Sequence, residues 1–300
     1  MSDRAPRSTT SSSISAAVPF RRREVIVTSA QPGVQLAVSA EPSAFLAFFQ
    51  QTAAIAEIEL KKLIRDPTEV LARAVQPVLW IVVFGNVFSR IRAIPTGNVS
   101  YLAFMTPGIL AQSVLFVAIF YGIAVIWERD LGIVHKLLVS PAQRAALVYG
   151  KATSAGFRGA VQATIIYVVA FLLHIQIRWT PLSILGVFAG AMLGSAIFAT
   201  LSFIVACLVK SRERFMGVGQ LMTMPLFFAS NAIYPISIMP HWLRVVAYLN
   251  PLTYLVDALR TLMIGASQSS HGVLTNFGIV ALIFVILAAI ATKLYPSLVR

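Results

Sequence analysis

Long apolar runs without charged side chains dominate the pattern of this chain. The longest covers residues 93–126, contains no Lys, Arg, Asp or Glu, and is followed at once by Glu128, Arg129 and Asp130. About 20 apolar helical residues cross a hydrocarbon core about 30 Å thick, so this run predicts a membrane-spanning helix that ends at a charged loop. Further charge-poor runs complete a pattern of six predicted spans: residues 70–89, interrupted only by Arg73, and residues 159–177, 179–209, 215–243 and 261–292.

Residues 1–42 have a different composition, rich in Ser, Thr, Ala and Arg with little periodicity. Such a segment buries too little apolar area to offset the entropy of ordering it, so we expect a flexible cytoplasmic tail. The arginines at 21–23 resemble the start of a twin-arginine export signal, but Glu24 and Pro32 interrupt the apolar region that such a signal needs. The alternative is a tail whose arginines contact anionic lipid.

Residues 43–66 have a helical period but not the character of a span. Apolar side chains fall on one side of a 3.6-residue helix and charged ones lie off it, which predicts an interfacial amphipathic helix. An ordinary soluble helix packed on a partner is the alternative. Asp66 and Pro67 fit a helix break that opens the first span, so residues 67–300 form the predicted transmembrane domain. The apolar side consists of Phe45, Phe49, Ala53, Ala56, Leu60, Leu63 and Ile64.

Composition and charge support a membrane protein and indicate its orientation. The chain is 58% hydrophobic and 12% charged, with mean hydropathy +0.81, which excludes an ordinary soluble domain. The net charge of +13 does not indicate nucleic acid, because the basic residues lie in loops between apolar runs rather than on one face. With six spans and a cytoplasmic N-terminus, nineteen of the 24 Lys and Arg residues fall inside. The positive-inside rule therefore predicts that both termini are cytoplasmic.

Catalytic and metal-binding patterns are absent from the sequence. Residues 150–153, Gly-Lys-Ala-Thr, lack the upstream glycine and the adjacent hydroxyl of a phosphate-binding loop, so we expect no ATP hydrolysis by this chain. The four histidines are scattered over loops and span ends, which argues against a shared metal site. We therefore predict no catalytic residues, no metal and no cofactor in the chain.

The loop between the second and third predicted spans carries the most informative motif. Residues 128–132, Glu-Arg-Asp-Leu-Gly, lead into a short amphipathic segment that stops at Ser140 and Pro141. This run resembles the cytoplasmic coupling segment of type-2 ABC exporter permeases, which include the daunorubicin-resistance and nodulation-factor export permeases. It departs from that pattern at His135, where an acidic or polar residue is common. The resemblance implies an ATPase-coupling role for Glu128, Arg129, Asp130, Gly132, His135, Lys136, Leu137, Ser140 and Pro141.

A second run, residues 228–260, resembles the fifth span and outer re-entrant helical hairpin of the same family. Backbone freed by its prolines cannot face lipid and must lie against protein or an aqueous cavity. Asn250 and Pro251 are expected to start a short helix, on whose surface Asp257 and Arg260 can pair. The predicted hairpin residues are Tyr234, Pro235, Pro240, Asn250, Pro251, Tyr254, Asp257 and Arg260.

The fourth predicted span carries Gly186, Gly190 and Gly194 at four-residue spacing. Small residues on one helix face allow close approach of another helix, so this face is predicted to pack. The neighbour is either another helix of the same chain or a second copy.

The resemblance implies an all-α permease with six transmembrane helices, in two copies with two cytoplasmic ABC ATPase subunits that carry ATP and Mg. The location implied is the prokaryotic plasma (inner) membrane. Glu128 is expected to offer its carboxylate to a basic surface of the ATPase. An amphiphilic substrate, such as a drug, a lipid or a lipid-linked glycan, would move along spans one, two and five. The polar side chains available there are Asn86, Gln112, Gln220 and Asn231.

Two other functions remain open at this point. An ion-coupled carrier would show inverted repeats and a buried ionisable residue within a span, and neither is apparent in the sequence. A membrane anchor for a cytoplasmic complex would need the same docking loop but no outer hairpin. Co-purification of an ATPase with the detergent-solubilised chain is the observation that separates these alternatives.

Overall fold

The structure, a computed structural model, describes residues 44–65, 67–91, 99–134, 143–209, 211–265 and 272–296. All regular structure in these residues is helical, which agrees with the predicted all-α class. They belong to one compact unit, Pro42–Arg300. The predicted tail, residues 1–42, and the second half of the coupling segment, residues 135–142, lie outside the described residues.

The described helices follow one another along the chain with short connections. A π-helical turn, Trp80–Gly85, joins α2 to α3, and a 3-10 turn, Ile236–Ile238, precedes α8. The helices are α1 (Ala44–Arg65), α2 (Pro67–Leu79), α3 (Asn86–Ile91), α4 (Tyr101–Asp130), α5 (Arg144–Leu172), α6 (Pro181–Leu208), α7 (Arg212–Phe228), α8 (His241–Leu249), α9 (Pro251–Met263) and α10 (Val273–Leu294).

Four of these helices, α4, α5, α6 and α10, are long and apolar enough to cross a membrane. The remaining two predicted spans are interrupted or short. Residues 70–89 lie in α2, the π-helical turn and α3, with Pro77 inside α2. Helix α7 has 17 residues, which correspond to about 25 Å of helix.

Two charge-free runs do not form the single helices that their composition predicts. The run 215–243 contains the end of α7, the 3-10 turn and the start of α8, and the run 261–292 contains the end of α9 and most of α10. The run 159–177 also begins too late, because α5 starts at Arg144 and includes Lys151 and Arg158. These two basic residues are buried in the structure, which is why their charge does not mark a helix boundary.

Helix α4 forms the centre of the bundle. Most of its residues are buried, and it packs against α5, α6, α7 and α9. Its apolar character on all sides follows from this position, because a helix surrounded by other helices has no face for polar residues. Helix α10 is packed on α5, α6 and α9 but leaves large side chains such as Leu274 and Leu282 exposed.

Helix α1 forms where the periodicity predicts it, and one of its sides packs on the beginning of α5. The Phe48 and Tyr149 rings lie 5.7 Å apart, and the Gln143 backbone N–H donates to Gln51 Oε1 at 3.0 Å. Phe49, on the predicted apolar side, is 53% exposed. This helix therefore has both a protein-packed side and an uncovered apolar side.

Candidate functional site

The end of the bundle where α4 and α6 finish and α5 and α7 begin is called here the charged end. Glu128 in the last turns of α4 accepts a hydrogen bond from Lys151 of α5, with Oε2 and Nζ 2.5 Å apart. The two side chains are only 13% and 9% exposed. Glu128 was expected to offer its carboxylate to a partner, whereas the structure directs that carboxylate into the bundle, because Lys151 lies opposite it on α5.

Asp130 links α4 to α7 at the same end. Arg212 of α7 donates from Nε and Nη2 to its Oδ2 at 3.1 and 2.9 Å, while Arg129 donates to Oδ1. Arg129 also donates to the Val209 carbonyl just after α6, at 3.4 Å. The Arg212 guanidinium lies 4.0 Å from the centroid of the Trp127 ring. The end of α4 is therefore linked through charge to both α6 and α7.

Gly132 turns the chain away from α4 with a φ of +70°, and no atom lies within 4 Å of the position of an added Cβ. Glycine is favoured here by backbone conformation rather than by space. On either side of Gly132, Leu131 and Ile133 are exposed, and Val134 is buried. The structure thus brings Glu128, Arg129, Asp130 and Gly132 together. The remaining coupling residues, His135, Lys136, Leu137, Ser140 and Pro141, lie outside the described residues.

A second contact between α4 and α5, also made by a buried basic side chain of α5, lies two turns farther from the charged end. The Arg158 guanidinium of α5 is 4.8 Å from the ring centroid of Tyr121 on α4, and Arg158 is 8% exposed. Tyr121 lies seven residues before Glu128 on α4, and Arg158 lies seven residues after Lys151 on α5. The two helices therefore run antiparallel, and both contacts have the same register. Lys151 and Arg158 were not predicted as partners of α4, although two basic residues seven apart in an apolar helix are a signal for such contacts.

The opposite end contains residues 229–265 and is called here the hairpin end, after the hairpin that the sequence predicts there. Asn250 organises it: Nδ2 donates to the Leu226 and Ala229 carbonyls at 2.6 and 3.1 Å, and Oδ1 accepts from the Leu252 N–H at 3.0 Å. One side chain therefore caps α9 and satisfies carbonyls at the end of α7 that have no helical partner. The prediction that Asn250 and Pro251 start a short helix is confirmed.

Other hairpin residues also bond to backbone carbonyls. The Tyr234 hydroxyl donates to Phe228 O, the Tyr254 hydroxyl donates to Tyr248 O, and Arg244 donates to Ser237 O and Met239 O. Pro235 and Pro240 precede the 3-10 turn and α8 respectively. These bonds keep the irregular segment folded on itself.

Asp257 and Arg260 are buried, each only 2% exposed, and not at the helix surface as the sequence analysis expected. Arg260 Nη2 donates to the Asn231 carbonyl at 2.7 Å, and its guanidinium lies 3.9 Å from the Phe104 ring centroid. Asp257 Oδ2 accepts from Asn276 of α10 at 2.8 Å. The i, i+3 spacing suggested a surface pair, but α4 and α10 cover this face of α9.

The glycine face of α6 meets α9 of the same chain. A Cβ added at Gly186 or Gly190 would come 3.0 Å from Leu262 or Leu259, and one at Gly194 would overlap Leu255. The order is antiparallel: residues near the start of α6 face the end of α9. Nearby, a Cβ at Gly108 of α4 would overlap the backbone carbonyl of Ala232. These glycines therefore allow close contacts of α6 with α9 and of α4 with residue 232.

The four polar residues expected along a substrate pathway differ in burial. Gln112 and Asn231 are each 3% exposed, whereas Asn86 and Gln220 are exposed. Asn86 donates to the Val82 carbonyl of its own helical segment at 2.8 Å. A cleft of about 330 Å³ lies between α2 and α4. Its lining includes Gln76, Pro77, Ser113, Phe116 and Phe120, and Ser113 directly follows Gln112 in the sequence. Among the described residues, no group of three His, Cys, Asp or Glu is placed to hold a metal.

An apolar helical bundle with four helices long enough to cross a membrane is the architecture expected of a membrane protein. The family model of the ABC-2 type transporter matches residues 50–264 of this chain. The chain therefore belongs to the ABC-2 type transporter family, and it is the permease subunit of an ABC exporter, a family whose ATPase is a separate subunit.

Named relatives agree with this family. The chain is 30% identical over 207 residues to the putative transport permease ycf38 of Cyanophora paradoxa, covering 68% of this chain and 70% of that protein. It is 29% identical to nodulation protein J of Rhizobium leguminosarum bv. trifolii, covering 56% and 64%. It is 24% identical to the daunorubicin resistance ABC transporter permease protein DrrB1 of Streptomyces coeruleorubidus, covering 67% and 70%.

Proposed function

We propose that this permease moves an amphiphilic molecule, such as a drug, a lipid or a lipid-linked glycan, out of the cytoplasm or the inner leaflet of a prokaryotic inner membrane. It works as two copies with two cytoplasmic ATPase subunits that bind ATP and Mg. The observation that carries this proposal is the charged end, where the last residues of α4, directly before the segment that begins at Gly132, are linked through Arg129, Asp130 and Arg212 to the end of α6 and to α7. A push on that segment acts on several helices at once.

The charged end faces the cytoplasm in this proposal, and both termini lie on the same side. The positive-inside distribution of Lys and Arg supports this orientation. The exposed Leu46 and Phe49 of α1, which packs beside the start of α5, suit a helix that lies in the cytoplasmic interface.

The bundle has six spans in this proposal, formed by the helical segment 67–91 and by α4, α5, α6, α7 and α10. Residues 229–265 then form a re-entrant hairpin between spans five and six. Two observations support this arrangement. Helix α7 is short, and Leu255 near the start of α9 packs on Gly194, at the middle of the 28-residue α6, whereas Leu262 packs on Gly186. Helix α9 would therefore begin near mid-membrane and rise to the outer surface.

The transport route runs along α2, α4 and α7. The cleft between α2 and α4 has mainly apolar walls with Gln76 and Ser113 among its polar residues, which suits an amphiphile better than an ion. Gln112, Asn231, Asn86 and Gln220 are the polar side chains proposed along this route. The second copy would close the other side.

The segment from Gly132 to Pro141 docks on the ATPase in this proposal, and its motion reaches the bundle through α4. The Glu128–Lys151 pair keeps the end of α4 in register with α5 rather than contacting the ATPase. Arg129, Asp130, His135, Lys136, Leu137 and Ser140 are proposed to shape or contact the docking face.

The test compares two substitutions at Gly132, expressed in the permease and reconstituted with its ATPase in proteoliposomes. Gly132→Asn retains access to the left-handed conformation, whereas Gly132→Pro forces a negative φ. We expect Gly132→Pro to lose amphiphile-stimulated ATP hydrolysis, measured with daunorubicin and phosphatidylglycerol as probes, while Gly132→Asn keeps most of it. The amount of ATPase retained on the purified permease is measured in parallel.

Equal stimulation in both variants with equal ATPase retention would overturn the assignment of this segment. Transport that continues without ATPase but depends on an ion gradient would instead indicate a carrier. The burial of Asp257 in α9 and of Lys151 and Arg158 in α5 is the structural observation that favours that alternative.

A further inference from the structure

A cleft of about 550 Å³ lies at the hairpin end, between the end of α5, the segment 173–179 and the end of α9. It is separate from the cleft between α2 and α4 and from the charged end. Its lining combines apolar and cationic groups, and the residues that matter here are Phe171, His174, Arg178, Trp179 and Met263.

The backbone around this cleft is fixed by specific bonds. His174 has a φ of +51°, and the Ile175 N–H donates to Ala170 O at 2.9 Å, so this turn ends α5 with a left-handed residue of the kind usually supplied by glycine. The Arg178 N–H donates to Met263 O at 2.7 Å. Gly265, with a φ of +129°, leaves room for the guanidinium, since an added Cβ would lie 2.7 Å from Arg178 Nη2.

The Arg178 guanidinium has no carboxylate partner within the described part of the chain. Of the 11 acidic residues, nine precede residue 131, and the two that follow are Glu213, at the charged end, and Asp257, which is buried against Asn276. Arg178 itself is exposed. Among the residues that the structure describes, the cleft therefore presents a positive charge that no carboxylate pairs with.

The surroundings of Arg178 are aromatic and apolar. The Trp179 ring packs on Tyr167 and Phe171 at 5.4 and 6.1 Å between centroids, and Phe171 and Trp179 remain 68% and 46% exposed. Leu172 and Leu182 are also exposed. Tryptophan and tyrosine are enriched at the headgroup level of a membrane, with apolar side chains below them. The cleft thus joins a cation to an uncovered apolar wall.

We propose that this cleft binds an anionic phospholipid, with its phosphate on the Arg178 guanidinium and the His174 imidazole and an acyl chain along Phe171 and Leu172. Arginine matches phosphate oxygens with two parallel N–H donors. This proposal rests on the proposed function in one respect: the orientation given there places the cleft in the outer leaflet. The bound lipid would cover the surface where the end of α5, the start of α6 and the end of α9 meet.

The test uses the full permease with its ATPase subunit in detergent, with dioleoyl phosphatidylglycerol as the probe and native mass spectrometry as the readout. We expect Arg178→Gln to weaken retention about tenfold, the size of one lost charge-assisted contact. His174→Gly keeps the left-handed turn without the imidazole and should weaken retention less. Arg144→Gln, at the other end of α5, removes the same charge and should retain the lipid like the parent.

The arms of the experiment separate the possible ligands. Glycerol 3-phosphate, which has the phosphate but no acyl chain, should not displace the lipid. Displacement at equal concentration would overturn the proposal in favour of a soluble phosphate ligand, and equal retention by Arg178→Gln and the parent would overturn it outright. Arg178→Lys retains the charge and checks that any loss in Arg178→Gln does not reflect misfolding. Daunorubicin-stimulated ATP hydrolysis in the same variants reports the transport function separately.

Discussion

The two ends of the bundle are held by different kinds of contact. At the charged end, side chains pair with side chains: Glu128 with Lys151, and Asp130 with Arg129 and Arg212. At the hairpin end, side chains mostly donate to backbone carbonyls, as Asn250 and Arg260 do, and leucine side chains of α9 pack on the glycine face of α6. A charge pair can exchange one partner for another, whereas a carbonyl contact depends on the path of the chain. The charged end is therefore suited to movement and the hairpin end to a fixed frame.

The largest effect is expected from Lys151→Met, which removes the ammonium group paired with Glu128 in a nearly buried position. Removing one member of a buried pair costs about 3 kcal/mol of unfolding free energy. If attraction between opposite charges is what stabilises this contact, the double variant Glu128→Lys, Lys151→Glu should recover most of the lost unfolding free energy. Thermal unfolding in detergent measures both. A swap as unstable as the single variant would mean that the charged end is as position-specific as the hairpin end.

Gly190→Leu tests the packing of the glycine face of α6 at the hairpin end. A Cβ there would lie 3.0 Å from Leu259 and 3.3 Å from Phe277, so a larger side chain must displace α9 or α10. Overpacking of this kind costs about 2 kcal/mol. Gly278→Leu is the matched control, because nothing lies within 4 Å of an added Cβ there. Similar thermal stability of the two variants would contradict the packing of α6 on α9.

Asn250→Asp changes one atom type at the centre of the hairpin. A carboxylate keeps the acceptor for the Leu252 N–H but places oxygen against the Leu226 and Ala229 carbonyls, so two acceptors lose their donor. We expect a loss of about 1–3 kcal/mol, since buried polar groups are left unsatisfied. Unlike the Lys151 variant, this one should have no charge-swap rescue. Tyr254→Phe, which removes one exposed hydrogen bond, should be nearly neutral in the same unfolding assay.

Asp130→Asn should have the smallest effect. Its carboxylate and the Arg212 side chain are 37% and 38% exposed, and exposed pairs are weak and screened by salt. We expect little change in thermal stability, and any difference from the parent at low salt should vanish at 1 M NaCl. A large, salt-independent loss would show that Asp130 belongs with the rigid contacts rather than the exchangeable ones.

The sequence predicted what depends on local pattern. The uninterrupted run 93–126 predicted α4, and the Asn250–Pro251 pair predicted the start of α9. The sequence did not predict the features that depend on tertiary contacts. A charge-free run indicates an apolar environment but not a straight helix, so residues 215–243 concealed the end of α7. Arg260 was placed at a surface because only the folded chain shows that the Asn231 carbonyl is there to accept its hydrogen bond.

The seven-residue register between α4 and α5 restricts how the permease can move. A slide of one helix past the other by one turn, about 5.4 Å, would carry Lys151 away from Glu128 toward Ala124 and separate Arg158 from Tyr121 at the same moment. Two buried basic residues would lose their neighbours together, which makes intermediate positions unfavourable. Helices α4 and α5 should therefore tilt as one lever, with the pivot toward the hairpin end and the long arm at the charged end.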